Sequence, residues 1–140
     1  MNGRDQDFLI KVQEMEWNSL GDGAKFKLLR YSAESGVWVI LLHMDAGGTF
    51  QPHRHHGAGD FFMTKGTMHY TDKVAVAGDY GYEAMGAFHD ATHVTEETEL
   101  LFIGYGPLSF FDEQGKISFI LDGEMLSAIA SGELQKSITQ

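Results

Sequence analysis

Glycine recurs along this chain and divides it into short apolar segments. Seventeen of the 140 residues are Gly and only two are Pro, whereas an average protein contains about 7% Gly. The run Val37–Leu42 is continuously apolar and rich in β-branched residues, which is typical of a strand buried on both faces. Lys65-Gly66 and Asp112-Glu113-Gln114-Gly115 separate later apolar runs as turns do. These features predict an all-β chain of about ten short strands.

The C-terminal part differs, because its apolar residues follow helical spacing. Asp122 is a suitable N-cap for a helix over Gly123–Ala130, and Gly132 lies just beyond its end. A chain of 140 residues is long enough to bury one core, so we expect a single domain over residues 1–140. Sandwich, barrel and jelly-roll arrangements all fit short strands with one terminal helix.

Composition argues against several kinds of function. The chain contains no Cys, so any metal must be bound by His, Asp or Glu rather than by a thiolate. Its formal net charge of −10 disfavours binding to nucleic acid or to an anionic membrane. The apolar run Phe8–Ile10 is too short for a signal sequence or a membrane span. We therefore expect a cytoplasmic protein with neither nucleic-acid nor membrane partners.

Histidine provides the clearest chemical signal. His53 and His55 are two residues apart, so on a strand their side chains point to the same face and can bind one metal ion. Asp60 follows a Gly-rich turn, and its carboxylate could reach the same ion. A third imidazole must come from another strand, for which His89 and His93 are both candidates.

Two spaced motifs make the chain resemble the cupins. The first consists of glycines flanking a His-x-His pair and an acidic residue, here Gly47, His53-Arg54-His55, Asp60 and Gly66. The second has the pattern Gly, Pro-x-Gly, His and Asn, for which this chain has Gly78, Ala84-Met85-Gly86, His89 and His93. Both lie within residues 47–93. The resemblance implies a double-stranded β-helix, that is, a jelly-roll barrel. Asp60 replaces the usual Glu and is one methylene shorter.

One group of cupins is especially similar. The segment His56–Gly66, with a Gly-rich turn, an acidic residue and an aromatic strand ending in Lys-Gly, resembles the acetylacetone-cleaving dioxygenases and the ChrR-like cupins. The segment Lys25–Arg30 fits the same group. The resemblance implies that His53, His55 and His89 bind iron(II), and that the protein cleaves a carbon–carbon bond of a β-diketone-like molecule with O₂. Zinc or nickel would fit the same three ligands.

Further residues are candidates for roles beside the metal. Glu83 shares strand parity with His89, and Thr92 lies three residues beyond it, so either could orient an imidazole or contact substrate. Asp60 is the third candidate catalytic residue, as a metal ligand or a neighbour of the metal. Phe50 and Phe62 are predicted to form the pocket wall, although a plain core role fits them equally well.

Three functions remain open from the sequence. The first is a dioxygenase that acts on a keto-enol small molecule and O₂. The second is a zinc or nickel isomerase or hydrolase, and the third is a non-catalytic cupin that senses a ligand or metal. We also expect a homodimer or homotetramer, with the two-sided run Val37–Leu42 and Phe110-Phe111 supplying an apolar surface. His43 and His69 are interpreted as structural, and Glu96–Glu99 as a solvated loop.

Overall fold

The computed structural model describes residues 6–132, and in this range the chain forms fourteen β-strands and one α-helix. A single 3-10 turn at Val12–Glu14 precedes the first strand. The strands are β1 (Asn18–Gly21), β2 (Ala24–Tyr31), β3 (Trp38–Met44), β4 (Thr49–Phe50), β5 (His53–His55), β6 (Gly59–Lys65), β7 (Thr67–Tyr70), β8 (Lys73–Val76), β9 (Tyr80–Glu83), β10 (Phe88–His89), β11 (Thr92–Val94), β12 (Thr98–Gly104), β13 (Leu108–Phe111) and β14 (Ile117–Leu121). The helix α1 spans Gly123–Ser131.

The strands form three antiparallel sheets within the described residues. A six-stranded sheet has the order β1-β2-β3-β12-β6-β9, and two four-stranded sheets have the orders β10-β5-β13-β14 and β4-β11-β7-β8. The core takes buried side chains from every sheet and from the helix, among them Phe26, Met68, Leu108 and Leu126. The predicted all-β class is therefore confirmed, with more and shorter strands than the sequence indicated. No helix within residues 6–132 is both long and apolar enough to cross a membrane.

The central strand β3 is buried on one face rather than on two. Trp38, Ile40 and Leu42 are at most 4% exposed, whereas Val39 and Leu41 between them are only half-buried. The expectation that Val37–Leu42 is buried on both faces was wrong, because the strand lies in an antiparallel sheet whose outer face no second layer covers completely. Continuous apolar sequence did not distinguish these two situations.

The turn between β6 and β7 falls at the predicted Lys65-Gly66. Gly66 has a φ of +83°, and a Cβ there would collide with the backbone of Glu97 and Thr98. Glycine is therefore required at this position both by the left-handed backbone and by the neighbouring strand.

The helix α1 begins and ends where its sequence signals predict. The Asp122 carboxylate accepts a hydrogen bond from the backbone N–H of Met125 at 2.9 Å, which satisfies one of the free donors of the first turn. Gly132 ends the helix with a left-handed φ of 81°. Leu126 is fully buried, so one face of the helix packs onto the barrel.

Candidate metal centre

The short strand β5 positions two histidines on one inward face. His53 and His55 are buried, whereas Arg54 between them is exposed and donates a hydrogen bond to the carbonyl of Gly86 at 2.9 Å. β5 pairs on one side with β10, where His89 lies directly opposite His53, and on the other side with β13. Sheet pairing therefore brings the third histidine beside the other two.

The three imidazole rings are almost equally spaced. Their centroids lie 5.2 Å apart for His53 and His55, 5.4 Å for His53 and His89, and 5.0 Å for His55 and His89. Rings that bind one ion through nitrogens at about 2.1 Å have centroids about 5 Å apart. The observed spacing is the one that a shared ion requires.

Glu83 on β9 adds a carboxylate to this group. Its side chain is buried, its Oε2 lies 3.0 Å from Nε2 of His89, and the same oxygen contacts Nε2 of His55. One donor atom from each of His53, His55, Glu83 and His89 lies within 4.8 Å of all the others. The cluster thus offers three imidazole nitrogens and one carboxylate oxygen to a divalent ion.

The surroundings of the imidazoles fit a metal site. Nδ1 of His53 donates to the carbonyl of Gln51 at 3.0 Å, which leaves the Nε2 lone pair free. Nδ1 of His89 lies 3.0 Å from the hydroxyl oxygen of Thr71. Within residues 6–132, Nδ1 of His55 is buried without a hydrogen-bond partner. The buried Nε2 atoms of His55 and His89 have only the Glu83 carboxylate beside them. Buried polar atoms rarely stay unpaired, so these nitrogens fit metal ligands well.

The ionisation states of the cluster also favour a cation. Burial is the main cause that lowers the pKa of His53 to about 4, and it outweighs the hydrogen bond to Gln51, which acts in the opposite direction. Burial by itself raises the pKa of Glu83, but hydrogen bonding with His55 and His89 outweighs this and holds the pKa at about 2. Near neutral pH the site therefore contains a neutral His53 and an ionised Glu83, which are the forms that bind metals.

Asp60 lies outside this cluster, which corrects the prediction that it sits at the metal. Gly59 and Phe61 point inward along β6, so Asp60 between them points to the outer face of the six-stranded sheet. There its carboxylate accepts a hydrogen bond from Tyr105 at 2.8 Å and another from Tyr80. Asp60 is paired with aromatic hydroxyls at the surface and not with the histidines.

One inward-facing residue next to Asp60 is Gly59, which has no side chain to offer to the cluster. Gly59 faces Glu83 across the β6–β9 pair. A Cβ at Gly59 would lie 2.7 Å from the ring of Phe102, so only glycine fits there. The carboxylate of the cluster therefore comes from Glu83 on the neighbouring strand β9. Glu83 was predicted as a residue beside the metal, but its place among the possible ligands depends on a strand register that the sequence does not reveal.

His89, and not His93, joins the cluster. His93 pairs with His69 across β11 and β7, and the two rings stack at 4.8 Å with their planes 7° apart. His93 is exposed on this sheet, on the opposite face from the buried Thr92 and Val94.

A cavity of about 60 Å³ adjoins the cluster and is lined by His53, Glu83 and His89. Phe50 contributes to its wall, as predicted, and most of the lining side chains are apolar. Thr92 also lines the cavity, beside the cluster, and its predicted contact with an imidazole or a substrate stays a prediction. Phe62 does not, because it shares the outward parity of Asp60 and is 45% exposed. The prediction that Phe62 forms pocket wall is therefore wrong.

Two neighbours of the cluster were missed in the sequence. The Tyr70 ring packs edge-on against His89 with centroids 5.8 Å apart. The pKa of Tyr70 is raised, mainly by burial and to a smaller extent by the charge of Glu83. Thr71, which contacts His89, follows in a turn with a φ of 53°. Neither residue belongs to a spacing motif, so the only available signal was their position at the end of a predicted strand.

Comparison with known proteins points to one family. The profile of the ChrR cupin-like domain matches residues 5–109. The acetylacetone-cleaving enzyme of Acinetobacter johnsonii is 35% identical over 101 residues, which are 68% of this chain and 66% of that enzyme. The match thus spans slightly less than two thirds of that relative.

Solved structures agree over more of the chain. The crystal structure of an acetylacetone dioxygenase from A. johnsonii superposes with a TM-score of 0.85 and 26% identity, covering 92% of this chain and 94% of that one. A candidate acetylacetone dioxygenase from Methylibium petroleiphilum gives a TM-score of 0.83 and 27% identity, covering 91% and 96%. These superpositions confirm the cupin fold.

Proposed function

This chain belongs to the ChrR cupin-like family, and from that premise we propose that it is a metal-dependent dioxygenase acting on a small β-diketone-like molecule. The observation that carries the proposal is the buried group of His53, His55, His89 and Glu83 at the wall of an apolar cavity. Similarity to an acetylacetone-cleaving enzyme and to an acetylacetone dioxygenase supports a cleavage reaction that uses O₂. We assign the cleavage to a carbon–carbon bond of the diketone.

The three histidines would hold iron(II), with Glu83 as a fourth donor. Iron(II) bound there supplies Lewis acidity towards the two oxygens of the substrate and the redox chemistry that O₂ needs. Hydrogen bonding of His53 to Gln51 and the contact of His89 with Thr71 keep both rings directed at the site. Zinc and nickel accept the same donors, so the donor set supports a divalent transition metal rather than iron alone.

Glu83 is the group that can take a proton from the substrate. A β-diketone loses a proton from the carbon between its carbonyls to form an enolate. The Glu83 carboxylate borders the cavity and is ionised near neutral pH. With one oxygen facing the ion, its second oxygen can accept that proton. Thr92 and Tyr70 also line the cavity, and their hydroxyls are the groups there that could donate hydrogen bonds to the substrate oxygens.

The cavity wall limits the kind of substrate. A space of about 60 Å³ holds a compact molecule and excludes a polymer. No Lys or Arg of the described chain lines it, so nothing there would pair with a carboxylate or phosphate group. Apolar neighbours such as Phe50, Phe102 and Phe110 exclude water from the reacting groups. These features favour small, uncharged diketones.

The experiment that tests this function combines metal content with O₂ uptake. Untagged protein would be prepared without chelators, reconstituted anaerobically with iron(II), and assayed with a panel of β-diketones by an oxygen electrode. We expect one iron per chain and O₂ consumption that requires both iron and diketone. Metal binding without O₂ uptake, with turnover in the zinc or nickel form, would replace the proposal by isomerase or hydrolase chemistry. Tight ligand binding without any turnover would indicate a sensor.

We also propose that the protein forms a homodimer or homotetramer. Phe110 is buried in the core, which corrects the expectation that it supplies the contact surface. Exposed apolar residues are found instead on β14, at Ile117, Phe119 and Ile120, and such patches are typical of protein interfaces. Light scattering at micromolar concentration tests this, and a monomer would contradict it.

A further inference from the structure

A second group of side chains of the types that can bind a metal lies away from the cavity, where β3 ends and β12 begins. His43 lies near the end of β3, and Asp45 follows directly after that strand. Glu97 directly precedes β12, and Glu99 is its second residue. His43 and Glu99 are direct partners across the antiparallel pair. One donor atom from each of His43, Asp45 and Glu97 lies within 4.8 Å of the others.

His43 is the unusual member of this group, because its side chain is only 9% exposed. The ring of Trp17 packs edge-on against it with centroids 5.6 Å apart. Nε2 of His43 is buried and has no hydrogen-bond partner within residues 6–132. A buried imidazole nitrogen without a partner is costly unless something else binds it.

The distances around Nε2 match those between ligands of one ion. Asp45 Oδ1 lies 3.4 Å away and Glu97 Oε1 lies 3.2 Å away. A charged hydrogen bond from an imidazolium would be about 2.8 Å long. Nitrogen and oxygen donors bound tetrahedrally to one zinc ion at about 2.1 Å are about 3.3 Å apart. Asp45 Oδ1 and Glu97 Oε1 thus lie at distances from Nε2 that fit ligands of one zinc ion.

The other ring nitrogen supports the same assignment. Nδ1 of His43 lies 3.4 Å from the Glu99 carboxylate, which can accept a hydrogen bond from the Nδ1–H. A carboxylate on Nδ1 fixes the tautomer in which Nε2 carries the lone pair, and this arrangement is common for histidines that bind zinc. Among the described residues, Lys65 forms an ion pair with this group, with its Nζ 3.6 Å from the Glu97 carboxylate.

We propose that His43, Asp45 and Glu97 form a second divalent-cation site that binds zinc. Glu99 orients the imidazole of His43. Asp45 and Glu97 are 64% and 58% exposed, so an ion can enter from solvent and water can complete its coordination. Because Glu97 lies in the connection between β11 and β12, the ion would join that connection to the end of β3. The site is independent of the cavity and of the dioxygenase proposal.

Counting zinc ions per chain tests the proposal. The protein would be dialysed to equilibrium against a series of free zinc concentrations, and bound zinc measured by elemental mass spectrometry. The test variant is Asp45→Asn/Glu97→Gln, which keeps the shape of both exposed side chains. The control variant is Glu34→Gln/Glu113→Gln, which removes the same two charges from exposed turns elsewhere. Circular dichroism would verify that all proteins are folded.

We expect the wild type and the control to bind one zinc per chain more than the test variant. The difference isolates the second site whether or not the buried cluster accepts zinc. Equal zinc content in all three proteins would overturn the proposal and leave His43 as a structural residue. A decrease that is equally large in the control would also overturn it, because general charge attraction would then explain the binding.

Discussion

The hydroxyl of Tyr105 donates a hydrogen bond to the carboxylate of Asp60 over 2.8 Å, on the outer face of the six-stranded sheet. This bond raises the pKa of Tyr105, and the bond from Tyr80 to the same carboxylate has the same effect on Tyr80. The acidic residue nearest in sequence to the His-x-His pair is therefore used at the surface. The carboxylate at the cluster is Glu83, from the neighbouring strand.

A matched pair of amide substitutions separates the two carboxylates. We expect Glu83→Gln to lower metal affinity by about 10–100-fold and to reduce the rate at saturating metal, because the amide is neutral and cannot accept a proton. Asp60→Asn should change both quantities by less than about twofold, since it is remote from the cluster. Metal titration and O₂ uptake on both variants check this. Equal losses in the two variants would contradict the assignment of Glu83.

Thr71 is predicted to act through His89. Thr71→Val removes the hydroxyl that lies 3.0 Å from Nδ1 of His89, so the ring loses its orienting contact and metal affinity should fall by about tenfold. Thr71→Ser keeps the hydroxyl and should restore most of the affinity. Competition with a metal-binding dye gives the dissociation constants. The interpretation fails if the Val and Ser variants bind metal equally well.

Phe50 and Phe62 provide a test of the cavity wall. Phe50 lines the cavity, whereas Phe62 is 45% exposed on the outside of the barrel. Phe50→Leu should lower kcat/KM for a diketone by about 5–10-fold, because apolar contact with the substrate is lost. Phe62→Leu should leave kcat/KM unchanged. Steady-state O₂ uptake measures both, and a larger effect at Phe62 would place the substrate elsewhere.

The metal-free protein should lose stability on mild acidification. Burial lowers the pKa of His53 from 6.5 to about 4, so between these values the unfolded state binds a proton that the folded state does not. Stability must then fall as the pH decreases through this window, by on the order of 3 kcal/mol for this residue. Urea unfolding of chelator-treated protein at several pH values measures it. His53→Gln should flatten the curve, and parallel curves would refute the assignment.

The sequence was informative where local spacing determines geometry. The pair His53 and His55 required only the two-residue repeat of a strand, and the helix over Gly123–Ser131 required only its cap at Asp122 and its stop at Gly132. These signals lie within a few residues of one another. They predicted the fold class, the C-terminal helix and two members of the cluster from spacing alone, while His89 came from the resemblance to cupins.

The wrong predictions concerned which face of a strand a residue occupies and which residues lie opposite one another in paired strands. Asp60 and Phe62 share one face of β6, so a one-residue difference in phase put both on the wrong side. The inclusion of Glu83 depends on its pairing with Gly59, and the second group depends on the pairing of His43 with Glu99. Such pairings join residues far apart in the chain, and neither hydrophobic pattern nor turn chemistry determines them for a single sequence.

The pairing of His53 with His89 has a consequence for how the protein acquires its ion. Backbone hydrogen bonds between β5 and β10 hold these two residues together whether or not an ion is present. Binding of the ion therefore does not need to fold this part of the chain. A site that is already formed has no change of shape that could discriminate between metals. For such donors iron(II) binds more weakly than nickel, copper or zinc. For iron(II) to be the ion that is bound, its free concentration would have to exceed that of these competitors.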